Sequence, residues 1–174
     1  LGAYSHQRII PAKIAVKVPD GISHKQAATL MTKGLTTNYL SCKTYILKAG
    51  ETVLFHAAAG GFGQIFAQWA NSIGAKVIGT DINEEAGNKT SDFIKEEGND
   101  FTFYKVDMTN ESNVKEFFNK TETQNKKIDI LVNVVGQSEP GGPVEIDTIT
   151  WQQQFMLNLN TAYFCIKCAI PIME

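Results

Sequence analysis

The feature that narrows the fold most is a glycine cluster set between a short apolar run and an amphipathic stretch. Thr52-Val-Leu-Phe-His56 is apolar, β-branched and aromatic, which is the pattern of a buried strand. Ala58-x-Gly60-x-x-Gly63 follows, and a helical pattern then runs to Ile73 and stops at Gly74. The alternation continues downstream. Lys76–Thr80, Phe101–Val106 and Ile128–Val135 read as strands. Asn83–Glu97, Ser112–Thr121 and Asp147–Ile170 read as helices, with Ser112 as an N-cap and Pro171 as a stop. Strands that alternate with helices at this spacing imply a parallel sheet covered on both faces. The expectation is a three-layer α/β domain with strand order 3-2-1-4, its sheet ending before a fifth strand.

The residues before 51 follow a different pattern. Arg8–Lys17 reads as extended chain broken by Pro11, and His24–Met31 and Leu35–Leu47 as helices separated by Lys33-Gly34. Residues 1–50 are expected to be the tail of a substrate domain plus leading helices, and 51–174 an incomplete dinucleotide-binding domain. The chain has no initiator Met at Leu1 and closes at Glu174 within an apolar helical stretch, so both ends read as cut.

Composition excludes several classes. Sixteen basic and 18 acidic side chains leave a formal charge of -2, with no basic footprint for nucleic acid. No apolar run is read as reaching the roughly 18 residues of a bilayer span, so no membrane partner is expected. No basic stretch followed by an apolar one opens the chain, so no signal peptide is read. The 3 cysteines (Cys42, Cys165, Cys168) suit a reducing cytoplasm, and Cys165-x-x-Cys168 reads as a pair of interior thiols. The 3 histidines are scattered and make no metal pattern.

The glycine cluster lies after a strand and opens a helix, the setting of a dinucleotide fingerprint in a Rossmann-like fold. Gly60 lets backbone approach a pyrophosphate, and Gly63 lets helix and strand pack closely. The free N–H groups at the helix start, Gly61 and Phe62 included, favour an anion. Asp81 ends the next strand about 20 residues on, where a carboxylate accepts the ribose hydroxyls and repels a 2′-phosphate. No Arg follows it, so NAD is expected over NADP. A glycine turn with a capping Asp and no ligand is the simpler alternative.

Two family resemblances meet in this chain. Leu1-Gly-Ala-Tyr-Ser5, Met31-Thr-Lys-Gly-Leu-Thr36 and Leu54-Phe-His-Ala-Ala-Ala-Gly-Gly-Phe-Gly63 with Gln68-Trp69-Ala70 resemble the quinone reductase branch of the medium-chain dehydrogenases, over residues 1–80. That resemblance implies a nicotinamide-side role for Thr36; a helix-start Thr is the alternative. Asp81-Ile-Asn-Glu-Glu-Ala-Gly87, Val106-Asp107-Met108-Thr109, Ile130-Leu-Val-Asn-Val-Val-Gly136 and Trp151-x-x-x-Phe155-x-x-Asn158 resemble the short-chain dehydrogenase/reductases. This second resemblance implies that Asp81 and Ile82 flank the adenine ribose and that Asp107 and Met108 contact the adenine. It also implies that Asn133 and Gly136 border the cofactor and that Asn158 has a catalytic relay role. The glycine loop departs from the short-chain pattern at Ala57, where that family has Gly. The chain therefore reads as a hybrid joined near Gly79-Thr80-Asp81.

The hybrid implies an NAD(P)-dependent oxidoreductase, or its cofactor-binding part, acting on a small carbonyl or quinone substrate. A non-catalytic nucleotide-binding or structural module is the alternative. Short-chain enzymes use Tyr-x-x-x-Lys after a fifth strand. The two matches here, Tyr39/Lys43 and Tyr163/Lys167, lie in other contexts. An apolar strand edge beyond the fourth strand leads to the expectation of a homo-oligomer.

Overall fold

The structure is a computed structural model that describes residues 5–125 and 127–173. The chain divides into two compact units, Leu1–Thr32 and Lys33–Glu174. The first, in its described part, holds a single 3-10 turn at Ala12–Ile14 and the start of helix α1 (His24–Tyr39). Ser23 opens α1 with a capping box: its hydroxyl accepts the Gln26 N–H at 3.2 Å, and the Gln26 side chain accepts the Ser23 N–H at 2.9 Å.

In the second unit the strands are β1 (Thr52–His56), β2 (Lys76–Asp81), β3 (Phe101–Lys105) and β4 (Ile130–Val132). They form one parallel sheet in the order β3-β2-β1-β4, as the sequence implied. Helices α2 (Gly61–Ile73), α3 (Glu84–Glu96) and α4 (Glu111–Asn125) connect them. After β4 come α5 (Thr148–Phe155), a π-helical turn at Met156–Asn160 and α6 (Thr161–Met173).

The period of two along β1 builds the three layers. Val53 and Phe55 face one way and pack with Phe66, Ala67 and Ala70 of α2 and Ile94 of α3. Leu54 faces the other way, with Val114, Phe117 and Phe118 of α4 and Cys165 and Ala169 of α6. Asp129 ties the start of β4 to β1. Its carboxylate accepts the Thr52 N–H at 2.9 Å, and its own N–H donates to the Thr52 carbonyl at 2.9 Å. Lys127 and this backbone bond hold the Asp129 carboxyl below its usual range.

Five local expectations are corrected. Helix α1 runs unbroken through Lys33-Gly34, because a single glycine weakens a helix without ending it. The chain then leaves α1 through a π-helical turn at Leu40–Thr44. Asn110, not Ser112, caps α4: its side chain accepts the N–H groups of Ser112 and Asn113. Strand β4 covers Ile130–Val132 alone, since among the described residues its ladder is to Val53–Phe55. Helix α6 runs through Pro171, which lies in its last turn.

The continuous helical stretch Thr148–Met173 is also long and apolar enough, by length and composition, to cross a membrane. A core helix of a soluble protein meets the same test. Here most of the stretch is not buried, and Cys165 and Ala169 are among the residues that enter the core.

Candidate functional site

The carboxyl ends of β1, β2 and β3 and the segment after β4 converge on one cavity of about 130 Å³. Asp81, Ile82, Asp107 and Met108, all singled out in the sequence, line it together. Ala57, Thr80, Val106, Thr109, Val135 and Leu157 complete the wall. Each of these six adjoins a motif residue in sequence, so only nearness to the motifs could have pointed to them. The Asp107 carboxylate accepts the Thr109 N–H at 2.9 Å and the Thr109 hydroxyl at 2.6 Å through one oxygen. Its second oxygen has no partner among the described residues.

The glycine loop borders this cavity. Asp81 braces it: one carboxylate oxygen accepts the Ala59 N–H at 3.0 Å and the other accepts the Asn83 N–H at 2.9 Å. Ala57 holds φ at 55°, the one non-glycine residue with positive φ among those described. A Cβ on Gly63 would lie 2.6 Å from the Ala57 carbonyl oxygen and 2.7 Å from that of Ala58, so only glycine fits there. At Gly60 the same test gives 3.1 Å to the Ala57 oxygen. Gly60 offers no side-chain cap, so the first N–H groups of α2 point into an open cradle. Phe62 stacks on Phe66 with ring centroids 5.2 Å apart and anchors the helix start from outside.

His56 closes β1 beneath the loop and is 1% exposed. Its Nδ1 shares a hydrogen bond with the Thr80 hydroxyl at 3.0 Å. Its Nε2 has no partner in good geometry among the described residues. Burial lowers the ring's pKa to about 4, and the neighbouring Asn133 amide partly offsets that pull. Asn133 itself is exposed beyond the end of β4.

Asn158 lies in the π-helical turn and clamps the loop after β4. Its Oδ1 accepts the Gln137 N–H at 3.0 Å, and its Nδ2 donates to the Gln137 carbonyl at 2.8 Å. Gly136 makes room for that clamp, since a Cβ there would lie 2.8 Å from Asn158 Oδ1. No local sequence rule announces the π turn, a form that recurs at functional sites. Thr36, in α1, is not among the residues lining the cavity.

The Tyr163/Lys167 pair is otherwise engaged. Lys167 pairs with Glu111 at 3.1 Å and lies over the face of the Tyr163 ring, 5.7 Å from its centre. Lys115 first and Lys167 second lower the Glu111 pKa, and Glu111 in turn raises the Lys167 pKa. Burial pushes the Cys165 thiol up to about 12 and raises Cys168 as well, so both are protonated at neutral pH. No group of three or more His, Cys, Asp or Glu side chains that could hold a metal is found among the described residues.

A parallel sheet with a glycine loop at the start of the first helix and acidic residues at the next strand ends defines a Rossmann-like, dinucleotide-binding class of fold. The family model described as short chain dehydrogenase matches residues 51–174, and the chain belongs to that family. The chain is 34% identical over 123 residues to a CLA biosynthesis dehydrogenase/reductase of Lactiplantibacillus plantarum, covering 71% of this chain and 43% of that protein. It is 54% identical over 80 residues to a quinone oxidoreductase of Pseudomonas aeruginosa, covering 46% of this chain and 25% of the other. A solved short chain dehydrogenase from Mycobacterium smegmatis superposes with a TM-score of 0.69 at 26% identity, covering 72% of this chain and 52% of that one. A 7α-hydroxysteroid dehydrogenase solved with NADH and 7-oxo glycochenodeoxycholic acid gives 0.68 at 26% identity, covering 73% and 50%. The chain thus spans from a quarter to about half of these relatives. The two likenesses identify a hybrid, and they overlap, because the family match begins at residue 51, upstream of the join read from the motifs.

Proposed function

We propose that this chain is the cofactor-binding part of an NAD(P)-dependent oxidoreductase. One observation carries the reading: the cavity of Asp81, Ile82, Asp107 and Met108 lies beside an uncapped helix start that only bare backbone can form. The residues fit the cofactor part by part. Ala58, Gly60, Gly61, Phe62 and Gly63 would hold the diphosphate through backbone N–H groups. Asp81 and Ile82 would take the adenine ribose, and Asp107 and Met108 the adenine. Thr36, Asn133 and Gly136 would border the nicotinamide side. Asn158 would act by fixing the loop at Gln137. The bound nicotinamide supplies hydride transfer, to a small carbonyl or quinone in this reading. The Asp81 carboxylate favours NAD, because a 2′-phosphate beside it would be repelled. The free thiols fit the cytoplasm. The exposed apolar residues Trp151, Phe155, Leu159 and Tyr163 fit a homo-oligomer, which light scattering tests.

Titration of the chain with NADH, followed by cofactor fluorescence, tests the proposal. Saturable binding is expected, tighter for NADH than NADPH, with the gap narrowed in Asp81→Asn. Absence of saturation at millimolar cofactor overturns it. A second reading, binding without turnover, draws on the engagement of Lys167 by Glu111. Oxidation of NADH by quinones or ketones above the buffer rate would exclude that reading.

A further inference from the structure

We propose that Met108, Cys165 and Cys168 form a three-sulfur site for a soft monovalent metal ion, Cu(I). The site does not depend on the cofactor reading. Cys165-x-x-Cys168 is a pair that the cofactor cavity leaves unused. Three residues apart on α6, the two cysteines share one face of the helix and pack on the same core cluster. Met108, in the link between β3 and α4, reaches that cluster from the sheet. The Cys165 thiol donates to the Met108 sulfur at 3.6 Å.

That separation is one a single metal ion spans. Two metal–sulfur bonds of about 2.3 Å that meet at about 100° place their sulfurs this far apart. The ion replaces the proton that the two sulfurs now share. Cys168 supplies the third bond, and its half-buried thiol gives the ion a way in from solvent. Charge favours the exchange. Binding turns both thiols into thiolates, and one Cu(I) leaves a single negative charge on the centre. Beside Cys168, Glu111 is paired at once with Lys115 at 3.0 Å and Lys167 at 3.1 Å, so one ammonium charge is in excess there. Burial raises the Cys168 pKa, and both lysines pull against it. The donor set selects the metal. No third His, Cys, Asp or Glu joins the two cysteines among the described residues, so the four ligands of a zinc site are not assembled. Two thiolates and a thioether suit Cu(I).

The test titrates the reduced 174-residue chain with Cu(I), without oxygen, against the chelator bicinchoninate. One Cu(I) per chain is expected, and X-ray absorption of the loaded chain should show three sulfur neighbours at about 2.3 Å. Cys168→Ser and Cys165→Ala should each weaken binding by about a hundredfold or more, beyond the cost of losing a group behind a ligand. Met108→Leu, which keeps the volume, should weaken it by about tenfold and leave two sulfur neighbours. Cys42→Ser, in the turn after α1, should bind as the wild type does. Melting temperatures without metal check the fold of each variant; if Cys165→Ala is unfolded, Cys168→Ser and Met108→Leu decide. Wild-type affinity in Cys168→Ser, or an equal loss in Cys42→Ser, overturns the site. Two sulfur neighbours in both the wild type and Met108→Leu overturn the part given to Met108.

Discussion

Acidification from pH 7.5 to 4.5 should weaken this fold chiefly through one residue, His56. The ring is 1% exposed and its pKa is lowered from 6.5 to about 4, chiefly by burial. An unfolded chain takes up a proton at His56 near pH 6.5, and the folded chain does so only near 4. Between those values the unfolded state binds more protons, so stability rises with pH. The contribution is complete above about pH 6.5 and is lost progressively as pH falls to about 4. The shift corresponds to about 3 kcal/mol, at roughly 1.4 kcal/mol for each pKa unit. Urea unfolding at pH 7.5, 6.5, 5.5 and 4.5, followed by Trp fluorescence and circular dichroism, measures it. With a urea slope of about 1–3 kcal/mol/M, the midpoint should drop by about 1–3 M across the series. His56→Gln removes the titration whatever its own stability. Asp129 and Asp147, whose lowered pKa values place their loss of stability at lower pH, contribute alike in both chains. The variant's profile should therefore be flatter between pH 6.5 and 4.5. Parallel profiles for the two chains would refute the reasoning.

Ala57→Gly should raise the melting temperature by about 1–4 °C, because relief of a left-handed alanine exceeds the added freedom of glycine in the unfolded chain; a lower value contradicts it. Gly79→Ala should destabilise by about 1–3 kcal/mol, because the new methyl would lie 2.5 Å from Phe101 Cζ and 2.8 Å from Ala58 Cβ. Phe101→Leu in that background should recover part of the loss, and an unchanged urea midpoint for Gly79→Ala would count against the close packing. Asn158→Ala should release the loop after β4, seen as faster amide exchange at Gln137 and its neighbours, at a cost of about 1–2 kcal/mol. Unchanged protection there would remove Asn158 as the clamp.

The layered sheet was legible because its signals are local. Each strand is a short apolar run, and Gly74 and Gly98 end helices with positive φ at 91° and 78°. Asp81 was legible from its strand end and its spacing after the glycine loop, and Asp107 and Met108 from the short-chain resemblance; all three line the one cavity. The extent of β4 was not, because Val134 and Val135 look like strand residues but leave the ladder, and Val135 turns to the cavity wall. Nor was the strain at Ala57, since alanine carries no signal for a left-handed backbone. The approach of Met108 to Cys165 depends on how α6 packs on the sheet, which is a tertiary fact that spacing does not encode.

A hybrid chain folds most readily when contacts across its join do not depend on which side chains each parent brings. Several contacts from residues 1–80 to those beyond meet that condition. Val53, Leu54 and Phe55 pair with Ile130, Leu131 and Val132 through a parallel backbone ladder. Asp81 grips the loop through the Ala59 N–H, and Asp129 grips β1 through the Thr52 N–H and carbonyl. Gly79 meets Phe101 by having no side chain at all. Other contacts across the join do involve particular side chains: Phe55 packs with Ile94 and Phe101, and Leu54 with Val114, Phe117 and Phe118. The join at the end of β2 is therefore spanned both by a backbone ladder and by apolar packing, in which hydrophobic side chains of matching volume can replace one another at modest cost.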